Sequence, residues 1–305
     1  MSSNSSVVAL IPARLAATRL PDKPLIDILG KPMIRWVWER ASSVKGVDRV
    51  AICTPDVAIL NAAEGFGAEV VMTSHSHRSG TDRLAEAATK LSLADDDIVV
   101  NIQGDEPLID PVAVESVIAL LQEDPALVMS SLCCPCPTID LDNPDCVKVV
   151  RALNGDALYF SRSRVPYLRR DTANVTYQHA GLYAYRVGFL KLYSTLMPTP
   201  LELTESLEQL RVLENGYRIR MALTQRAPIG VDTPEDLERV RRVRALGVQA
   251  LSGGERAPEL AALADACLRS LFGGDWRQAA SRMPPCYPPP DDWEPEPEHE
   301  TSDAP

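Results

Sequence analysis

Arg14, Arg19 and Lys23 fall within ten residues in the stretch "LIPARLAATRLPDKPL", Leu10 to Leu25, of a chain whose formal net charge is −11. They follow the first apolar run, "VVALI". A loop leaving a strand of an α/β sheet opens at the strand's carboxyl end, where a phosphate meets backbone amides and Arg or Lys supplies the counter-charge. Three cations there suit a triphosphate, and a solvated basic surface is the alternative. The loop is neither a G-x-x-x-x-G-K-[ST] phosphate cradle nor a G-x-G-x-x-G dinucleotide turn.

"NIQGDEPLI", Asn101 to Ile109, is a second cluster. An apolar strand ends there in Gln103, Gly104 and two acids, placing Asp105 at the edge where phosphates would lie. Hard carboxylate oxygens are what Mg²⁺ prefers when it bridges substrate phosphates. The same residues also read as a turn, with Gly104 bending the chain and Pro107 opening a helix. Asp232, in "IGVDTPEDL", is either a helix cap or a second carboxylate facing the first. Spacing along the chain does not decide between them.

Two further segments, "YFSRSRVPY" and "YQHAGLYAYR", offer Arg162, Arg164 and His179. Arginine can hold a carboxylate through two parallel hydrogen bonds, whereas a single histidine among tyrosines also reads as a satisfied structural group. In "LTESLEQL", Glu205 and Gln209 stand four apart, on one face if the stretch is a continuous helix, and would bond sugar hydroxyls or water. "SHSHRSGTDRLAE" contains a helix entry at Ser79, with Asp82 at capping-box spacing, against which a nucleobase can sit. His75 and His77 in the same loop have no third ligand nearby.

These groups need a scaffold. "VVALI", "RVAIC", "EVVM" and "DIVVNIQ" are short β-branched runs of the kind buried on both faces, hence parallel strands. "KPMIRWVWERASSV", "GTDRLAEAATKL" and "VAVESVIALLQ" carry apolar residues at helical spacing. The alternation predicts a doubly wound α/β domain, with ligands at the carboxyl ends of its strands. From about 133 to 190 the pattern loosens into shorter pieces expected to form an inserted lobe. One helix is expected over "LTESLEQLRVLENG", ended by Gly216, and another from "DTPEDLERVRRVRAL", with Thr233 as cap and Asp236 at its positive end.

With 305 residues, 45% apolar and 24% charged, the chain is ordinary for a globular protein. "MSSNSS" has no signal-peptide character, and no segment approaches the roughly 20 apolar residues of a membrane helix, so a cytoplasmic protein without membrane insertion is expected. The seven cysteines are odd in number and mostly lie in apolar runs, which suits reduced thiols. "CCPCP", Cys133 to Pro137, reads as packing at a strand end in preference to a metal site. Residues 284–305 hold seven acids, eight prolines and no Lys or Arg, leaving −4 on the rest. That balance argues against nucleic-acid binding, and the composition predicts a disordered end to the 247–305 extension. Residues 1–6 are expected to be disordered too.

In order, "IPARLAATRLPDKPL", "HRSGTDRLAE", "NIQGDEPLI", "NPDCVKVV", "LYFSRSRVPY", "HAGLYAYR", "LEQLRVLENG" and "GVDTPEDLERV" closely resemble the 3-deoxy-manno-octulosonate cytidylyltransferase (CMP-Kdo synthetase) family over about residues 7 to 245. The resemblance implies a nucleotidyltransferase-type fold with a small dimerisation and sugar-binding lobe, a homodimer, Mg²⁺, and the reaction of CTP with Kdo to CMP-Kdo and pyrophosphate for lipopolysaccharide. It implies Arg14, Arg19 and Lys23 on the CTP phosphates and the segment around Arg78 and Ser79 at the cytidine. Asp105 and Asp232 would bind Mg²⁺, and Gln103, Arg162, His179, Glu205 and Gln209 the sugar acid. Two letters depart from the family pattern, Ala17 for Ser and Asp22 for Gly. A cytidylyltransferase for another sugar acid, such as sialic acid, and a nucleotide-binding regulator without turnover are the rival readings. The extension is free to bind a partner of its own.

Overall fold

Val7, Val8, Ala9, Leu10 and Ile11 are all at most 1% exposed, so the first strand is covered on both faces. In the computed structural model, which describes residues 5–15, 20–77, 79–170, 175–225 and 227–251, this strand lies inside a nine-stranded sheet. The strands of the described residues are β1 (Val7–Pro12), β2 (Asp27–Ile28), β3 (Lys31–Pro32), β4 (Arg49–Thr54), β5 (Glu69–Met72), β6 (Ile98–Asn101), β7 (Met129–Pro135), β8 (Lys148–Arg151), β9 (Ala157–Ser161), β10 (Tyr177–Arg186) and β11 (Ile219–Leu223). The helices are α1 (Met33–Ser42), α2 (Val57–Gly65), α3 (Gly80–Lys90), α4 (Pro111–Glu123), α5 (Val187–Tyr193), α6 (Pro200–Glu205), α7 (Gln209–Glu214) and α8 (Pro234–Leu251).

The main sheet runs β11-β7-β10-β6-β1-β4-β5, and β2 with β3 forms a separate hairpin. β1 pairs in parallel with β4 and β6, β4 with β5, and β7 with β11. β10 is antiparallel to both its neighbours, β6 and β7. The result is the expected doubly wound, mostly parallel α/β sheet. Strand periodicity divides β1 between two layers: Val7, Ala9 and Ile11 pack with α1, α2 and α4, while Val8 and Leu10 pack with α3, α5 and α7. Leu84 of α3 is fully buried there, and its truncation to alanine would cost about 2–5 kcal/mol.

Of residues 133–190, expected as a lobe, β10 is part of the main sheet. It starts beside β8 at Tyr177 and Gln178, shifts register between Ala180 and Tyr183, and then runs between β6 and β7. The pieces hanging off the sheet are β8 and β9, an antiparallel pair. The single helix expected over 203–216 is two helices, because Ser206 adopts a left-handed conformation at φ 53° after α6. Tertiary bonds outweigh helix propensity here: the Glu205 carboxylate accepts from Ser161 Oγ and Arg162 N, and the Arg162 guanidinium donates to the Glu205 carbonyl. Gly216, at φ 80°, ends the second helix as expected.

A third apolar cluster fixes α8, the last helix of the described residues. Ile28, Met33 and Trp36 pack with Leu108, Val231, Leu237 and Val240, and the Arg244 guanidinium lies 4.3 Å from the Trp36 ring centre. This cluster ties the residues just before Asp232 to the turn just after Asp105. Residues 1–4 and those beyond 251 lie outside the described set, and with them most of the 247–305 extension.

Candidate active site at the carboxyl edge of the sheet

Beyond Pro12 the chain crosses the end of the sheet. Ala13 N donates to the Cys53 carbonyl at 3.0 Å and Leu15 N to Asp56 Oδ2 at 2.9 Å, which holds this part of the loop against β4 and leaves Arg14 exposed. Arg19 and Ala17 lie outside the described residues. After Leu20, Asp22 takes the left-handed conformation (φ 53°, ψ 25°) and leads into a short 3-10 helix, Lys23–Leu25. Glycine adopts that conformation without strain, and aspartate is among the residues that tolerate it.

Lys23 points inward. Its Nζ stands 2.6 Å from Asp105 Oδ2 and 3.1 Å from Asp232 Oδ1, so two carboxylates from distant parts of the chain share one ammonium. Burial opposes the charge on Lys23, but Asp105 and Asp232 outweigh it and raise its pKa above the usual value. Gly104 permits the meeting, because any Cβ there would lie 2.8 Å from the Pro12 carbonyl oxygen. Val231 N then donates to the Asp105 carbonyl at 2.9 Å, bringing Asp232 alongside. Asp232 is not the helix cap. Thr233 Oγ1 accepts from Asp236 N at 3.2 Å while Asp236 Oδ2 accepts from Thr233 N, leaving Asp232's side chain to Lys23.

Two acids around one cation fit a hard divalent ion whose other ligands are phosphates and water. Among the described residues no group of three or more His, Cys, Asp or Glu is placed to hold a metal, so an all-protein cage is absent there. His77 instead pairs with Glu86, whose carboxyl is opposed by burial yet held down to about 2 by Lys90, Ser74 N and His77. Next to Asp105, burial and the neighbouring charge push the Glu106 carboxyl up to about 8.

Ser79 caps α3, its hydroxyl accepting from Asp82 N at 3.1 Å, as its spacing predicted. Gly80 lies against the Pro12 ring, so the positive end of α3 adjoins the end of β1. Arg78 is outside the described residues. Sequence reasoning missed Arg83, which sits buried one turn into α3 and donates to Thr73 Oγ1 and the Ser74 carbonyl. Its pKa is lowered, first by burial and further by the charge of Arg14, so the two guanidiniums reinforce one positive region. An arginine beside apolar Leu84 and Ala85 gave no separate signal.

Because β10 opposes β6 and Tyr183 pairs with Asn101, the start of β10 projects past the end of β6, toward the edge that carries Gln103 and Asp105. A cavity of about 500 Å³ opens there, lined by Asn143, Asp145, Gln178, His179, Tyr183 and Gln209 among others. His179 bonds Ser131 Oγ at 2.9 Å and sits edge-on to Phe160, and burial pushes its pKa down to about 4, leaving a neutral ring. Gln209 is 5% exposed, and its Nε2 has no hydrogen-bond partner among the described residues. Gln103 is half-buried at the end of the β6 segment. Arg162 and Glu205 are brought together, but they hold each other: the guanidinium donates to the Glu205 and Pro144 carbonyls.

The cationic loop, the paired acids and the cavity along one sheet edge are the layout of a nucleotidyltransferase, and a family model described as Cytidylyltransferase matches residues 8–219. The chain is 48% identical over 256 residues to a 3-deoxy-manno-octulosonate cytidylyltransferase of Actinobacillus succinogenes, covering 78% of this chain and 98% of that one. It is 51% identical over 251 residues to its counterpart in Pseudomonas fluorescens, covering 79% and 98%. A solved structure of CMP:2-keto-3-deoxy-manno-octonic acid synthetase complexed with CTP superposes with a TM-score of 0.76 at 45% identity, covering 79% of this chain and 99% of that one. At 16% identity and a TM-score of 0.55, 4-diphosphocytidyl-2C-methyl-D-erythritol synthase shares the fold alone. The chain belongs to the 3-deoxy-manno-octulosonate cytidylyltransferase family.

Proposed function

We propose that the chain transfers the cytidylyl group of CTP to the anomeric hydroxyl of 3-deoxy-manno-octulosonate (Kdo), releasing pyrophosphate and giving CMP-Kdo for lipopolysaccharide assembly. The observation that carries this reading is the convergence of Asp105 and Asp232 on Lys23 at the carboxyl edge of the sheet. Arg14, Arg19 and Lys23 take the phosphates, and the α3 entry at Arg78 and Ser79 takes the cytidine. The cavity with His179 and Gln209 takes the sugar acid, and Gln103, Arg162 and Glu205 are assigned to the same substrate.

The sugar hydroxyl attacks the α-phosphorus, the bond to the β-phosphate oxygen breaks in line, and the hydroxyl proton passes to solvent. Positioning and charge neutralisation carry the rate, with no covalent intermediate on the protein. Asp105 and Asp232 would hold Mg²⁺, which when bound supplies charge to the phosphates and favours deprotonation of the sugar hydroxyl. The neutral His179 ring offers a hydrogen bond without adding charge. Exposed Leu153, Leu158 and Tyr167 on and beside the β8–β9 pair support a homodimer formed through that lobe.

The test is pyrophosphate release from CTP and Mg²⁺ with a panel of sugar acids. Turnover of Kdo is expected. Turnover of sialic acid in its place would overturn the assignment, and CTP binding with no product would make the chain a regulator. Light scattering checks the dimer.

A further inference from the structure

Cys136 and Cys146 lie beyond the packing role that accounts for Cys133 and Cys134. Both are half-buried, and their Sγ atoms stand 3.7 Å apart. A disulfide needs about 2 Å. The intervening shift falls in a segment built from successive turns, in which Asp140 N bonds the Pro137 carbonyl, Asn143 N the Asp140 carbonyl and Cys146 N the Asn143 carbonyl. No strand or long helix has to give way.

The two thiols bracket the rim of the cavity. Asp140, Asn143 and Asp145, all between them in sequence, line it, as do Cys146 and Gln178. Gln178 is held by sulfur at both ends, its Oε1 accepting from Cys146 Sγ at 2.8 Å and its Nε2 donating to Cys134 Sγ at 3.1 Å. Joining Cys146 to Cys136 removes one of these bonds and draws the rim residues together.

We propose that Cys136 and Cys146 are a reversible disulfide site that reshapes the cavity rim. The oxidant is a low-molecular-weight disulfide such as glutathione disulfide. The Cys136 thiolate attacks it, forming a mixed disulfide and releasing one glutathione thiolate. Cys146 sulfur then displaces the second glutathione, and the Cys146 proton passes to that leaving thiolate. Two thiols are oxidised and one disulfide is reduced to two thiols. Burial, and after it the neighbouring Cys136, push the Cys146 thiol up to about 12, which leaves the first attack to Cys136; the 3.7 Å separation, which holds Cys146 beside the mixed disulfide, is what makes it the second partner.

The full-length protein is incubated with glutathione disulfide and mapped by mass spectrometry without reduction. A Cys136–Cys146 cross-linked peptide, reversed by dithiothreitol and absent in C136S, is expected. Glutathione left on Cys136, or cross-linking to Cys134, overturns the site. The kinetic readout rests on the function proposed above: oxidation should raise the KM for Kdo about tenfold with little change in the KM for CTP, and C136S should be insensitive. A cross-linked enzyme with unchanged KM overturns the effect on the rim. If even the reduced enzyme fails to use Kdo, the proposed function fails while the mapped cross-link still stands.

Discussion

Gly104 lies against Pro12 so closely that a Cβ on it would stand 2.8 Å from the Pro12 carbonyl oxygen. Backbone occupies that point, so alanine would force the turn carrying Asp105 away from the end of β1. Gly104→Ala is expected to lower stability by about 1–3 kcal/mol and to reduce turnover by moving Asp105 off Lys23. Urea denaturation and pyrophosphate release measure the two effects. Wild-type values for both would show that the close approach is dispensable.

Asp105→Asn keeps the shape of the side chain and removes its charge. Lys23 retains Asp232, so the fold should persist by circular dichroism while Mg²⁺-dependent turnover falls by about 100-fold or more. Turnover within a factor of about two of wild type would exclude Asp105 as a metal ligand or phosphate-side group.

At φ 53°, Asp22 occupies backbone space that glycine enters without strain. Asp22→Gly should change stability by less than about 1 kcal/mol, since relief of strain and loss of chain rigidity oppose each other. It also removes a negative charge beside the cationic loop. The KM for CTP is expected to fall by about 2–10-fold at low ionic strength, with the gain shrinking as salt rises. An unchanged KM at low salt would mean that this charge does not reach the phosphates.

For His179, burial places the folded pKa at about 4 against an ordinary 6.5. The unfolded chain therefore takes up its proton first as pH falls. Stability is fully present above about pH 6.5 and is lost toward pH 4, by at most about 3 kcal/mol and by less where cavity water reaches the ring. Denaturation curves across that window should be steeper in pH for wild type than for His179→Asn. Equal slopes would mean that the ring is already solvated.

The relatives align over nearly all of their own length but only 78–79% of this chain. Truncation after Leu251 is accordingly expected to leave transfer activity within about twofold of the full chain. A large loss of turnover would place the extension in the working enzyme.

The parallel strands were legible because burial on both faces leaves an uninterrupted apolar run, as in Val7–Ile11; β5, at the sheet edge with Val71 alone buried, was legible from its two valines instead. β11 escaped notice because "IRMAL" interrupts its apolar character with Arg220, whose guanidinium reaches Asp156, and α2 because its alanine-rich sequence has little apolar periodicity. Residues 203–216 misled for a different reason. Their helical spacing is real, but the bonds that turn the chain at Ser206 come from Ser161 and Arg162, more than 40 residues away. Lys23, Asp105 and Asp232 were each readable as candidates. Their meeting was not, because it depends on a missing Cβ at Gly104 and one backbone bond from Val231 to Asp105.

The pairing of β1 also sets an order of assembly during synthesis. β1 is made first, yet its second neighbour, β6, ends at Asn101, and β10 has to enter between β6 and β7 some 75 residues later. Lys23 and Asp105 can meet once the first third of the chain has emerged from the ribosome, whereas Asp232 arrives only with the entry to α8. A nascent chain thus carries half of its acidic pair through the 127 residues of synthesis that separate Asp105 from Asp232, and completes it as α8 docks onto Trp36.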